Sequence, residues 1–566
     1  MTRIELPGEK AKGHLTLLRE SRALTPREYN ALTVEERLAI IRRAGGRQKY
    51  DLIVEAKDAE ALVPRLAAQE IYLLLRELGA EDCIDLLAMV STEQMTTFLD
   101  LDLWEDAVLQ EKPTLEWLVL LLETGEEKVL QTAREMDFEL LVVMLQKFVA
   151  IQRGLESLTD EDALVEGRLE RIYDVEYPDS ESAKIVGYFL DILFRHDRDF
   201  YLHLMEAVRW EQTVELEEAA YQSRNGRLQD RGVPDPFTAL ELFAYLDPAT
   251  FNAVREGKIP IAAGEAEADA PGFFLVARPN DLLAEILGSG LEADECWELT
   301  YLLNKIMIAD GADVGESDQV RREMEEVYRY LNLGLEHLSG GDTEQAFQVF
   351  HSTYFQHLFR IGLSLTLDLQ KRARKIVRSE IGPYLDGPDR AFTAGLGRRR
   401  PRLFEGVERP DRGGERPFAN LHDLQLAEEW LERLDVQRRL FSEVFDFSLS
   451  PPAEIDLSGC IPEDGEDLTL SEIFLTALAN RIMGREFAPV PLPADELAEL
   501  HHRVAAEGQV RAGLRAETVA WLENLETGAG RFAEHCLAMW DEEFCALQPA
   551  DLDPRYVGGL IIRCTG

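Results

Sequence analysis

The sequence predicts an all-α, or nearly all-α, protein on two observations. Helix-start signals recur along the chain, and apolar residues follow them at helical spacing. In T-P-R-E, Thr25 can cap, Pro26 suits the first helical position and Glu28 can reach back to the cap. T-V-E-E (Thr33, Glu36), S-T-E-Q (Ser91, Gln94), D-T-E-Q (Asp342, Gln345) and T-L-S-E (Thr469, Glu472) follow the same rule. Each sets a capping oxygen three residues before a Glu or Gln, so two otherwise orphan amides are satisfied together.

Residues 50–150 form a block of short leucine-rich helices, among them I-Y-L-L-L-R-E-L-G, C-I-D-L-L-A-M-V and F-E-L-L-V-V-M-L. Each is too apolar on one face to stand alone. Stacking them side to side would bury a continuous core, so an α-solenoid-like arrangement is expected for residues 1–155, with an ordinary helical bundle as the alternative. Residues 156–182 turn acidic and irregular and read as a linker. A strong helix is expected from Lys184 to about Arg209, inside a helical middle segment, 183–255, that carries R-N-G-R-L as a loop. Residues 256–382 read as a helical domain, with two short strands expected within 259–278. Residues 383–420 are rich in Arg, Gly and Pro and read as a long loop, and 421–566 as a C-terminal helical domain. An echo of the form L-T-x-L-x-N-[KR]-I-M begins at Leu299 and again at Leu475.

The run L-S-G-G-D at 338–342 is one letter from the signature loop of ABC-type ATPases. Such a loop works opposite a phosphate-binding G-x-x-x-x-G-K-[ST]. The only Gly-Lys pair is Gly257-Lys258, followed by Ile259, so no such loop is present. The run is better explained as a helix exit at Gly340 and Gly341 followed by a cap at Asp342. Its surroundings resemble a single tetratricopeptide repeat: Tyr330, Leu333 and Gly334 in the first helix, Ala346 and Phe350 in the second. Leu358 stands where that motif has Pro.

Length and charge narrow the function classes. The 566 residues suffice for roughly three or four domain-sized units. A net charge of −46 argues against nucleic acid or an anionic membrane as partner for the bulk surface. The longest apolar runs, such as L-V-L-L-L at 118–122, are too short to span a bilayer, and the N-terminus lacks the apolar core of a signal peptide. The six cysteines form no C-x-x-C pair, so a reducing, bacterial-type cytoplasm is expected.

Three clusters are candidates for chemistry. His196, Asp199, His203 and Glu206 are spaced to lie along one helical face and could hold a divalent metal with help from Glu215 and Glu218. Alternatively, the histidines sit at a core edge shared with Phe189, Phe200 and Ala207. Arg224, Asn225, Arg227 and Asp230 could bind a carboxylate or phosphate, or could pin a loop through ion pairs. K-R-A-R-K-I-V-R at 371–378 and G-R-R-R-P-R at 397–402 make a basic island whose nearest partner is the acidic remainder of the chain. No catalytic residue is identified, no nucleophile stands beside a visible base, and no motif requires a cofactor.

Four segments, I-Y-L-L-L-R-E-L-G-A-E-D-C-I-D-L-L-A (71–88), R-N-G-R-L-Q-D-R-G-V-P-D (224–235), Y-L-N-L-G-L-E-H-L-S-G-G-D (330–342) and D-P-R-Y-V-G-G-L (553–560), carry a resemblance over nearly the full chain. They resemble an uncharacterised bacterial family known only as a domain of unknown function, which implies no activity. The rhythm of residues 50–150 is similar to the superhelical N-domain of MgtE-type magnesium transporters. That similarity implies a helical fold and not transport, because the membrane part is absent. The reading favours a cytoplasmic protein-interaction or scaffold protein with a protein partner. The alternative is a metal- or anionic-ligand-dependent enzyme or sensor centred on residues 196–235.

Overall fold

A computed structural model describes residues 26–105, 107–153, 173–252, 258, 281–312, 316–549 and 552–564. The protein is mostly helical, with a few small sheets of two-residue to four-residue strands. Two compact units emerge. The first comprises Met1–Ala244, Val254–Tyr328 and Phe350–Gln356, and the second Tyr245–Ala253, Arg329–Val349 and His357–Gly566. Among the described residues no helix is long and apolar enough to cross a membrane.

In the first unit the expected caps form. Thr33 and Glu36 make a reciprocal box at the start of Val34–Arg43, and Ser91 and Gln94 do the same for Thr92–Asp102. Gln94 also donates to the carbonyls of Val63 and Leu66 at 2.9 and 2.8 Å, so one side chain caps its helix and ties down an earlier turn. Thr25 lies outside the described residues. No solenoid is shown. Glu126–Glu135 packs on Thr92–Asp102, Glu111–Glu123, Phe138–Gln146 and Ser180–His196 alike, where a solenoid would limit each helix to its neighbours in a row. The reason lies in Phe138–Gln146. Leu140 through Leu145 are all buried, so this helix is apolar all round and must be enclosed.

Two further expectations for this unit are corrected. The helix expected from Lys184 to about Arg209 is two helices, Ser180–His196 and Arg198–Trp210. Asp197 leaves helical geometry at φ −150° and ψ 82° and caps the second helix by accepting from the Phe200 amide at 3.1 Å. The R-N-G-R-L stretch is not a loop but part of the helix Thr213–Asp230. Contacts from Arg224 and Arg227 override the Asn-Gly turn preference, and the turn is delayed to Gly232, at φ +77°. Within the expected acidic linker, Asp174–Glu176 pairs antiparallel with Ala150–Arg153. The strands expected within 259–278 fall outside the described residues.

In the second unit, the L-S-G-G-D run is a helix exit. Ser317–Ser339 ends at Gly340 and Gly341, with φ of +61° and +79°, a backbone region that glycine enters without steric cost. Asp342 then accepts from the Gln345 amide at 2.9 Å and starts Thr343–Ser352. The close helix approach made by Gly334 is to Phe355–Val377. A Cβ on Gly334 would run into the Leu358 carbonyl, and one on Gly362 into the Tyr330 carbonyl. The two glycines thus form a reciprocal crossing, with Tyr330 and Phe359 packed edge-on at 5.1 Å beside it.

Residues 383–420 hold more structure than a loop. Gly387–Gly397 is helical, and Leu403–Phe404 pairs antiparallel with Glu415–Arg416. Arg416 is fixed by Asp423 at 2.6 Å and Glu408 at 3.0 Å, and Arg398 by Glu415 at 3.0 Å, so much of the local positive charge is answered internally. The echoed motif also has a physical counterpart within each unit. Asn304 donates to the Gly232 carbonyl at 2.9 Å, and Asn480 to those of Ala488 and Val490 at 3.0 and 2.8 Å. In both helices the asparagine pins an adjoining turn.

Two carboxylates are buried where Gly387–Gly397 begins. Asp386 accepts from Ser471 Oγ at 2.9 Å, and the Cys536 thiol donates to the same Ser471 oxygen at 3.5 Å. Asp389 accepts from the Trp430 indole N–H at 2.7 Å. Burial, with the neighbouring Asp386 charge, pushes the Asp389 carboxyl up to about 6, against the opposing pull of Arg433, Trp430 and His535. A carboxyl whose folded pKa is raised favours the folded state below its unfolded pKa, and that advantage is lost as pH rises through about 6. At pH 8 the cost of keeping this charge buried is about 3 kcal/mol. Asp389→Asn keeps an acceptor for the indole and removes the charge. It is expected to slow hydrogen exchange in Gly387–Gly397 at pH 8 and to leave it near the parent value at about pH 4, close to the unfolded carboxyl's own pKa. An unchanged exchange rate at pH 8 would count against a buried ionised Asp389.

Candidate interaction surface

The four residues expected to share one helical face do not. His196 ends one helix, while Asp199, His203 and Glu206 belong to the next, rotated by the break at Asp197. His196 Nε2 lies 2.8 Å from Glu126. Arg195 first, and His196 after it, hold that carboxyl at about 2. Asp199 is exposed. The exposed His203 ring stacks on Phe138 at 4.8 Å. Glu206 accepts from the Tyr173 hydroxyl at 2.8 Å and the Trp210 indole at 3.0 Å. Among the described residues no group of three or more His, Cys, Asp or Glu is placed to hold a metal ion.

The arginine cluster is brought together, but around the protein's own carboxylates. Arg227 makes a two-pronged pair with Asp100, 2.8 Å on each side, and a further ion pair with Asp137. Arg224 donates to the Asp100 carbonyl at 2.7 Å and to Asn225 Oδ1 at 3.0 Å. Asp230 is exposed at the helix end. Burial raises the Asp100 carboxyl, and Arg227 and Arg224 oppose that rise.

The feature that sequence reasoning missed is an apolar surface on the first unit. The short helix Pro236–Leu240 starts at Asp235, which accepts from the amides of Phe237 and Thr238 at 3.0 and 3.1 Å, and it packs on Ala293–Asp310. Packing buries Ala239 and leaves Phe237 and Leu240 on the outer side, 85% and 48% exposed. On Ala293–Asp310, Trp297 and Tyr301 stack at 5.3 Å with nearly parallel rings, and Trp297 is 43% exposed. Gly232, in its positive-φ turn, lies against both rings, close enough that a Cβ would touch Trp297 and Tyr301. Asp235, the exposed Glu241 and the exposed Asp294 add negative charge around these side chains. The sequence signal was a surplus of apolar residues. Ala293–Asp310 carries Trp297 and Tyr301 beside the buried stripe of Cys296, Leu299, Leu303 and Ile306, more than one core face needs.

The ionisable clusters at His196 and Arg227 are closed on the protein's own carboxylates, and Phe237, Leu240 and Trp297 stay exposed on the first unit of a mostly helical protein. The chain belongs to the family of unknown function DUF6178, whose family model matches residues 26–563. No curated protein and no solved structure matches it.

Proposed function

We infer that the protein is a protein-interaction or scaffold protein, working in a cytoplasm of the bacterial type. The observation that carries this reading is the outward apolar surface of Phe237, Leu240 and Trp297. A group of large apolar side chains left exposed together and rimmed by polar residues marks an interaction site. The occupant is a partner protein offering an apolar segment flanked by Lys or Arg. Its charge follows from the acidic rim of Asp235, Glu241 and Asp294 on a chain with 106 acidic and 60 basic residues. The six cysteines, all free and five of them buried, suit a reducing compartment. A metal- or anionic-ligand-dependent enzyme or sensor centred on residues 196–235 has less support, because Arg227 is committed to Asp100 and Asp137.

The test is native mass spectrometry of the tagged full chain purified gently from its own host, beside a Phe237→Ala/Trp297→Ala variant and a Val490→Ala control from another exposed apolar position. The expected result is a stoichiometric partner retained by parent and control. The double variant should lose it by at least about ten-fold, the loss of one good hot spot. Retention of the partner by the double variant would refute the surface assignment. A second copy of the chain, lost in the same variant, would replace a foreign partner with self-association.

A further inference from the structure

The second unit carries a cleft that the interaction reading does not use. Leu426, Glu429, Trp430 and Arg433 lie at i, i+3, i+4 and i+7 of Leu421–Arg439 and so share one face. Val407, from the turn Glu405–Val407, and Arg531, from the first turn of Gly530–Trp540, close the other sides. The open space is about 350 Å³, within the range of small-molecule sites.

The cleft has a built floor. The Trp430 indole is locked by its hydrogen bond to buried Asp389 and packs at 5.5 Å on the Phe392 ring. The Arg433 guanidinium lies over the Trp430 ring, 4.5 Å from its centroid. Beyond that stacking, neither Arg433 nor Arg531 makes an ion pair or hydrogen bond among the described residues, although the Arg433 charge acts on Asp389 and the Arg531 charge on Glu523. Glu523 lies near Arg531, but its two oxygens accept from the amides of Gly528 and Gly530 at 2.9 Å each. Two guanidiniums line the cleft against the one carboxylate of Glu429 in its lining, while the Asp389 carboxyl lies behind the Trp430 floor and Glu523 beside Arg531 is taken up by backbone amides. Planar guanidiniums pair with carboxylate or phosphate oxygens through two parallel hydrogen bonds.

We propose that this cleft binds a small organic oxyanion, with its phosphate or carboxylate head between Arg433 and Arg531 and its body against Trp430, Leu426 and Val407. Glu429 then faces a hydroxyl or amine of the ligand and disfavours a second anionic group. Asp389 is a positioning residue: it holds the indole on which Arg433 rests and does not touch the ligand.

The experiment is isothermal titration calorimetry on the full chain with two probes that share a ring and differ in head group, phenyl phosphate and benzoate. Saturable binding of at least one is expected, with a Kd at or below about 1 mM. Arg433→Ala and Arg531→Ala should each weaken it by about ten-fold or more, while Arg409→Ala, an exposed arginine of the same unit outside the cleft, should not. Asp389→Asn keeps the indole acceptor and removes a negative charge behind the floor, so it should tighten binding several-fold, a change that a merely structural role would not produce. Tighter binding of phenyl phosphate identifies a phosphate ester as the ligand class, and tighter binding of benzoate a carboxylate. Absence of saturable binding of both probes up to about 10 mM, or binding equally strong in Arg433→Ala, would overturn the proposal.

Discussion

Arg227→Ala is expected to destabilise the first unit by about 3–5 kcal/mol. Asp100 is 1% exposed and faces Arg227 with both oxygens, and Asp137 draws on the same guanidinium. An ion pair of this kind adds little over an apolar pair of the same shape, because burying both charges costs nearly what their attraction returns. Removing one member is another matter, since the remaining carboxylate keeps its desolvation cost and loses its counter-ion. The double variant Arg227→Ala/Asp100→Asn should therefore recover part of the loss, and a double-mutant cycle would measure the coupling. Lys in place of Arg should recover less than full stability, because an ammonium cannot grip both oxygens in one plane. A cost below about 1 kcal/mol for Arg227→Ala in chemical denaturation, the range of a surface pair, would mean that Asp100 finds water in its place.

Gly362→Ala is the second large effect, expected at about 3 kcal/mol or more. The added methyl would be driven into the backbone carbonyl of Tyr330, and backbone cannot rotate away as a flexible side chain can. Relief requires the two helices to separate, which opens the contacts on both sides of the crossing. Gly334→Ala should behave alike, because it meets the Leu358 carbonyl from the opposite helix. Gly513, inside Ala512–Leu525 with nothing within 4 Å of an added Cβ, is the control. There Ala should be neutral or stabilising by about 0.5–1 kcal/mol. Thermal unfolding of the three variants checks the ranking, and equal melting of Gly362→Ala and Gly513→Ala would refute the crossing.

The helical class and the caps at Thr33, Ser91 and Thr469 were readable because a capping box is decided within four residues. The break at Asp197 was not. Its second carboxylate oxygen is held by Arg134 Nε at 2.6 Å, a residue distant in the chain, and nothing local distinguishes a capping Asp from a helical one. The arginines of Thr213–Asp230 stood out as a cluster, but their partner Asp100 lies on another helix, so a closed network and an open anion site spelled the same. Exposure of Phe237 and Trp297 was hidden for a similar reason. Sequence marks a side chain as apolar, and only the packing of neighbouring elements decides which apolar residues are left over. The cleft was half legible: four of its residues share one helical face, while Arg531 comes from a helix much later in the chain.

The interleaved make-up of the two units bears on how the chain is born. A domain formed from one continuous segment can fold as soon as its last residue leaves the ribosome. Here the first unit awaits Phe350–Gln356, and by then Tyr245–Ala253 and Arg329–Val349 of the second have already emerged. Their own unit is complete only once His357–Gly566 is translated. No single cut between residues 245 and 356 yields two whole halves, so dissection by truncation would sever one unit or both.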